Sequence, residues 1–510
     1  MRYCFFCGAV VLGLTALAVA EPPGAAIKGI QPAPGAPVAV APEPVPVVKL
    51  AVNLGAPKTR ALKYTLLPDP LDLTPGNAAP LWNRAGVRAS AIERDLNQGP
   101  NKVIAPVGTP LSLEGKVVPL KDLPRKEIHA YLAHFTKALR LADQAARCDH
   151  CDWEFPPLKL QDFDFPRNDI QHLRMVAALL TTRCMLELSE SRFDDAIVTL
   201  QTGFALARDI GKGDTLIQDL VGIAIGAIMF NQVEQWEQVP GSPNLFWALT
   251  DLPAPLVNTA PAMRTELTTI FRSFPPLRQL ARDSAKGPMS EEEANKIVSE
   301  LVKIMGDLEG SRMPDWQKKL GVAALAIKVY PEAKKYLLAH GRTPEQLDAM
   351  PASQVVLLYY VDDYDQIKDE LLKWMNVAPW EARAGLDKVS KDIRAEGLPG
   401  NILVRLLIPA INKVYDARVR IERTADYLRC AEALRMYAAT HDGKAPEKLE
   451  DVKLPLPLDP YTGQGFDKFY KIMADGTAVF EVPSPPNMTA SLGRRFELRG
   501  ANILLPPNNK

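Results

Sequence analysis

The most apolar stretch of the chain is Leu216–Trp236, in which the 11 residues 220–230 are apolar on every side. A helix without a polar face has to be covered by protein or by lipid, and this run is shorter than the roughly 20 residues that a bilayer requires. Gly222 and Gly226 are four residues apart, so they leave one helix face bare for the close approach of a neighbour. The pattern predicts a central buried helix with these two glycines as structural contact points.

Apolar residues at steps of three and four predict further helices on both sides of this segment. They span residues 125–142, 169–188, 193–209, 244–249, 261–284 with a break at Pro275-Pro276, 291–308, 315–329, 331–340, 344–349, 352–375, 379–396 and 401–441. Short links rich in Pro or Gly favour antiparallel packing of sequential neighbours. The hairpin 169–209, with Phe193, Ala196 and Gly203 on its second helix, resembles a tetratricopeptide unit.

The pattern changes to alternation after Gly443. Residues 469–473 and 477–482 are predicted strands around Asp475-Gly476, a favoured two-residue hairpin turn, and residues 494–499 supply a third strand. The predicted fold is therefore mainly α: an array of antiparallel helical hairpins, either tetratricopeptide-like or an irregular α-bundle, with a small C-terminal antiparallel β-sheet. A truncation near Gly443 is expected to leave the helical body folded.

The N-terminal composition predicts export. Arg2 precedes an apolar run that ends in the small-x-small sequence Ala18-Val19-Ala20, as in a signal peptide. The predicted organisation is a signal peptide at 1–20, a Pro-rich disordered tether at 21–48, an irregular segment at 49–124, a helical body at 125–442 and a small β-containing module at 443–510. The location is periplasmic or secreted, with an uncleaved membrane anchor as the alternative.

The charge balance of the chain limits the classes of partner that are expected. The 60 basic and 60 acidic residues balance, which favours neither nucleic acid nor an acidic membrane surface. No membrane span is predicted beyond the N-terminal leader, and a protein partner in the cell envelope is expected.

The sequence most typical of a reactive or metal-binding site is Cys148-Asp149-His150-Cys151. A C-x-x-C pair around a histidine suits a redox pair or half of a zinc site, but zinc needs four ligands and no second such pair follows. A structural disulfide between Cys148 and Cys151, or a pair of buried thiols, is the favoured alternative. Pairing among Cys148, Cys151, Cys184 and Cys430 stays open.

Several segments together resemble a family of uncharacterised secreted proteins of planctomycete-type bacteria. They are residues 62–85, 151–154, 215–224, 243–249 and 428–446. The resemblance implies an exported location and no particular chemistry. Residues 434–482 are also loosely similar to the globular module of pseudopilins, through a helix, Gly443-x-x-Pro446, Asp459-Pro460 and strands. Pseudopilins place that module directly after their N-terminal hydrophobic helix, whereas some 400 residues intervene here.

No protease, hydrolase, P-loop or dinucleotide-binding motif is present in the sequence. No catalytic residue and no cofactor is therefore predicted. The expected function is that of an exported, non-catalytic helical scaffold or interaction protein of the cell envelope. Two alternatives are a metal-dependent hydrolase of unfamiliar type that uses residues 148–151, and a component of envelope secretion or pilus-like machinery.

Overall fold

The computed structural model describes residues 45–54, 60–98, 102–112, 118–154, 167–282, 287–308, 315–395, 402–485, 488–499 and 503–504. Within these residues the chain is mainly helical, with a small sheet near its C-terminus, which confirms the predicted fold class.

The helices follow the apolar periodicity closely. They are α1 Ala78–Gln98, α2 Arg125–His134, α3 Thr136–Ala146, α4 Arg167–Ser189, α5 Phe193–Ile210, α6 Leu216–Trp236, α7 Phe246–Thr250, α8 Ala260–Ser273, α9 Pro275–Arg282, α10 Glu291–Leu308, α11 Asp315–Ala339, α12 Pro344–Asp348, α13 Ala352–Trp374, α14 Pro379–Ala395 and α15 Ile402–Thr440. Helices α4 and α5 form the predicted hairpin. Gly203 of α5, however, faces Met229 of α6 and not the first helix of its hairpin.

Helix α6 is the centre of the helical body. It begins with Thr215 as its N-cap, whose hydroxyl accepts a hydrogen bond from the Gln218 amide. Helices α4, α5, α8 and α15 pack around it, and Trp236 at its end is fully buried. By length and composition α6 is apolar enough to cross a bilayer, yet 72% of its most apolar window is buried inside the protein.

The segment predicted to be irregular, residues 49–124, contains a 21-residue helix, α1. The prolines up to Pro75 favour irregular backbone, so the sequence does not predict a helix of this length there. Pro80 is compatible with a long one because it lies in the first turn, where backbone N–H groups have no partner within the helix. The strand before α1, β3 Thr74–Asn77, pairs in parallel with β4 Cys148–His150.

The break predicted at Pro331 does not occur, because α11 runs through it. A proline inside a helix frees the carbonyl group four residues earlier. That residue is Ile327, whose side chain is 77% exposed, so the freed carbonyl lies on the solvent side of the helix.

The C-terminal sheet has four strands in the order β1, β7, β6, β5, where β1 is Val47–Lys49, β5 Tyr470–Ile472, β6 Ala478–Val482 and β7 Arg494–Leu498. The predicted strands pair antiparallel, and β1 adds to β7 in parallel. The end of the predicted tether therefore belongs to this sheet. A second parallel pair joins β2 Val52–Asn53 to β8 Ile503–Leu504.

The hairpin between β5 and β6 has a three-residue loop, not the predicted two-residue turn. The Gly476 amide donates to the Met473 carbonyl (2.9 Å), and the Met473 amide donates to the Thr477 carbonyl (2.8 Å). Gly476 has φ +79°, as the left-handed position that closes a type I turn with a bulge requires.

The sheet shares one core with the helical body. The buried rings of Phe480 and Phe496 stack with centroids 5.9 Å apart, and Phe496 also contacts Tyr427 of α15. Arg494 of β7 pairs with Glu234 of α6 at 2.8 Å. The last helix ends at Thr440 and the next strand begins at Tyr470, while the hydrophobic core continues across position 443.

Candidate functional site

The C-x-x-C segment is fixed against the start of α1. The Asn77 side chain donates to the Asp152 carbonyl (2.7 Å) and accepts from the Asp152 amide (2.9 Å). The Asp149 carboxylate accepts a hydrogen bond from the Gly76 amide at 3.1 Å. Two parts of the chain about 75 residues apart are therefore held together by local polar contacts.

Cys148 and Cys151 are free thiols, the first buried and the second half-buried. Each has a separate weak acceptor: the Cys148 thiol donates to the Gln144 carbonyl (3.6 Å), and the Cys151 thiol donates to the Asp209 carbonyl (4.0 Å). Burial, followed by the charge of Asp209, raises the pKa of Cys148 and raises that of Cys151 to about 12. Since the thiolate is the nucleophile and the metal ligand, both groups are held in their unreactive form.

His150 does not complete a metal site. Its Nδ1 lies 2.7 Å from the carboxylate of the adjacent Asp149, and both side chains are exposed. In the described part of the chain, no three His, Cys, Asp or Glu side chains come together as a metal site requires. The structure thus brings the two thiols to one place and leaves His150 at the surface.

Asp209 is the residue around which this region is organised, and the sequence did not single it out. Its buried carboxylate accepts from the indole N–H of Trp82 (3.2 Å), while its carbonyl accepts from the indole N–H of Trp153 (2.8 Å). Arg208 and Lys212 approach the same carboxylate at 3.0 and 3.1 Å. These contacts join α1, the C-x-x-C segment and the end of α5, which is a structural role.

Both glycines of the central helix lie at close contacts. A side chain at Gly222 would meet the carbonyl oxygen of Ala207 at 2.6 Å, so the backbones of α5 and α6 touch there. A side chain at Gly226 would meet the ends of two side chains, Ile421 of α15 at 2.6 Å and Leu256 at 3.0 Å.

A buried ionic cluster lies where α6 ends. Arg435 of α15 binds Glu432 at 2.6 Å and donates to the carbonyls of Ala51 (2.7 Å) and Ser242 (3.0 Å). Glu237, also fully buried, has no hydrogen-bond partner for either carboxylate oxygen among the described residues. Burial, and then the charge of Glu432, raise the pKa of Glu237 well above its ordinary value. The cluster connects the first described residues of the chain to α15, the longest of the described helices.

A second pair of carboxyl groups lies near the start of α6. Asp219 is buried with no described partner for either oxygen, and burial and the nearby Glu266 raise its pKa well above the ordinary value. Glu266 accepts the Leu216 amide at 3.2 Å, and burial raises its pKa to about 7. Groups of this kind occur both at active sites and within folded cores. Here both carboxyl groups lie where α6 packs against α8.

No protein-family model, no curated protein and no solved structure matches this chain.

Proposed function

We propose that the protein is an exported, non-catalytic helical scaffold of the cell envelope that acts by binding a protein partner. The observation that carries the proposal is the state of residues 148–151, the most reactive-looking sequence in the chain. Both thiols have raised pKa values, His150 is engaged with its neighbour Asp149, and the segment is bound to Asn77 and Asp209 as a structural element. Its polar groups bind the start of α1 and the end of α5, and so hold these two helices together.

The position of β1 supports a tethered arrangement. The leader at 1–20 and the Pro-rich segment at 21–48 suggest export behind a tether, and Val47–Lys49 adds to the edge of the C-terminal sheet. The tether would then enter the folded body at that sheet. Helical hairpins such as α4 with α5 belong to architectures that present extended binding surfaces.

The test compares turnover with binding. Mature protein, residues 21–510, is assayed against ester, peptide, glycoside and phosphate substrates, with and without Zn²⁺, and is also used as bait with envelope extract. The variants are Cys148→Ala, Cys151→Ala and His150→Ala, with His134→Ala as a matched control because His134 is exposed and lies outside the segment.

We expect no turnover and a reproducible envelope protein that binds directly when both are purified. Turnover that is lost in the three variants and kept in the control, together with an empty bait experiment, would overturn the proposal in favour of the metal-dependent hydrolase. Fractionation of cells tests the location separately, since the proposal places the chain in the envelope or the medium.

A further inference from the structure

Tyr461 lies in the loop before β5 and is surrounded by arginines. The guanidinium of Arg383, on α14, lies 5.0 Å from the centre of the tyrosine ring, and that of Arg423, on α15, lies 5.3 Å from it. Guanidinium groups at this distance over an aromatic face are held by cation–π attraction. Arg420, one turn before Arg423, contributes a third positive charge that acts on the phenol group.

The three arginines differ in what they bind. Arg423 binds both oxygens of buried Asp459 (3.1 and 3.0 Å) and donates to the Pro483 carbonyl (2.7 Å). It is therefore a structural residue that fixes the loop. Arg420 has one described polar contact, a 3.7 Å approach to the Met488 sulfur, which is a weak acceptor.

The guanidinium of Arg383 forms no hydrogen bond or ion pair with any described residue. Its one described contact is the cation–π contact with the Tyr461 ring. Elsewhere in the described chain, Arg183, Arg208, Arg435 and Arg494, all half-buried or buried, form ion pairs with carboxylates. Half-buried Arg147 instead donates hydrogen bonds to Gln201 and to the Asp143 carbonyl. Arg383 and Arg420 are half-buried without such a match. Asp416 is near enough to interact with both charges, yet it forms no ion pair with either.

Large apolar side chains are exposed on the helix that carries Arg383 and in the loop that carries Tyr461. Trp380 lies one helical turn before Arg383, so both are on one face of α14, and its indole ring is 38% exposed. The ring stands against Gly463, where an added side chain would meet it at 2.7 Å. Leu458, at the start of the same loop, is 48% exposed. We name Trp380, Arg383, Arg420, Leu458 and Tyr461 the Tyr461 surface.

We propose that the Tyr461 surface binds an acidic peptide segment of the protein partner, a segment that carries apolar residues beside its carboxylates. Trp, Tyr and Arg are the residues that most often dominate binding energy at protein interfaces. Unpaired guanidinium groups are matched in geometry and charge to carboxylates. The exposed Trp380 and Leu458 favour a peptide over a purely ionic polymer, because a phosphate chain offers no apolar surface for them. This inference rests on the proposed function and names the partner's chemistry.

The test selects short random peptides displayed on phage against immobilised mature protein. The affinities of the enriched peptides are then measured by calorimetry for Arg383→Ala, Arg420→Ala and Asp416→Asn. The matched control is Lys388→Ala, which removes an exposed cation of α14 outside the surface. Circular dichroism verifies that each variant is folded.

Enrichment of acidic peptides with apolar residues is expected. Arg383→Ala and Arg420→Ala should each weaken binding by about tenfold or more, as truncation of an interface arginine does. Lys388→Ala should leave affinity unchanged, and Asp416→Asn should tighten binding because it removes a competing carboxylate.

Selection of neutral or basic peptides, or equal affinities for Arg383→Ala and Lys388→Ala, would overturn the inference. Inorganic polyphosphate that binds through the same arginines and displaces every selected peptide would also overturn it, in favour of a polyanion site. If the protein has no partner, the bait experiment is empty and the proposed function itself fails. If a partner binds the Arg383→Ala and Arg420→Ala variants as tightly as wild type, only the placement at the Tyr461 surface fails.

Discussion

Replacement of Gly222 by alanine tests whether the backbones of α5 and α6 touch as the structure has them. The new methyl group would lie 2.6 Å from the Ala207 carbonyl oxygen and 3.2 Å from the Gly211 amide nitrogen. Backbone atoms cannot rotate away, so the helices must separate. Such overpacking costs about 1–3 kcal/mol, and the upper end applies here because the contact is with backbone. Gly→Ala in a helix returns about 1 kcal/mol, so a net loss of about 2 kcal/mol is expected.

Gly226→Ala is the matched comparison one turn later in the same helix. Its methyl group meets the side-chain ends of Ile421 and Leu256, which can move, so the propensity gain offsets the contact and the net change is about 0.5 kcal/mol or less. Gly287→Ala, in open space, is the second control. Urea unfolding followed by circular dichroism gives the three free energies of unfolding. Equal stability of Gly222→Ala and wild type, or a larger loss at Gly226, would refute the reasoning. Leucine at either glycine should be worse than alanine.

Three further predictions concern the buried groups and the C-terminal sheet. The raised pKa of Glu237 means that the folded protein loses stability as pH rises above the unfolded value of about 4.3, so Glu237→Gln should gain stability relative to wild type as pH rises. Urea unfolding of both proteins at several pH values would contradict this if the difference between their free energies of unfolding stayed constant. Thiol titration of the mature protein in denaturant should find all four cysteines free. In the native state these thiols should react slowly, because burial raises their pKa values. A titre of only two thiols in denaturant would show a disulfide. Truncation after Gly443 should lower the melting temperature of the helical body, since it uncovers the core beneath the sheet, and an unchanged melt would show that the module is independent.

The helices were predictable because their signal is local. Residues 216–236 of the predicted central helix match α6, and the limits of α5 and α13 differ from prediction by one residue at one end. Apolar spacing fixes the buried face, and caps or prolines mark the ends. The length of α1 and the continuity of α11 were missed for one reason. A proline was read as a break where its position, in a first turn or beside an exposed carbonyl, made it tolerable.

Features that depend on distant partners were not predictable from one sequence. Nothing near Val47 indicates that its partner is Arg495, and the bond from Arg435 to Ala51 spans 384 residues. Asp209 likewise gave no sequence signal, because its role follows from two indole groups that the fold brings to it. The C-x-x-C sequence pointed to a chemical site, whereas its surroundings decide whether its thiols react.

The position of the Tyr461 surface connects the binding proposal to the tether. Arg423 of α15 fixes the Tyr461 loop through Asp459. It also fixes the end of β6, since it donates a hydrogen bond to the carbonyl of Pro483, directly after that strand. The last residues of the predicted tether belong to the same sheet as β1, which pairs with β7. The loop that carries Tyr461 precedes β5, which is the opposite edge strand of that sheet. Attachment through the tether and binding at this surface would therefore act at the two edges of one four-stranded sheet.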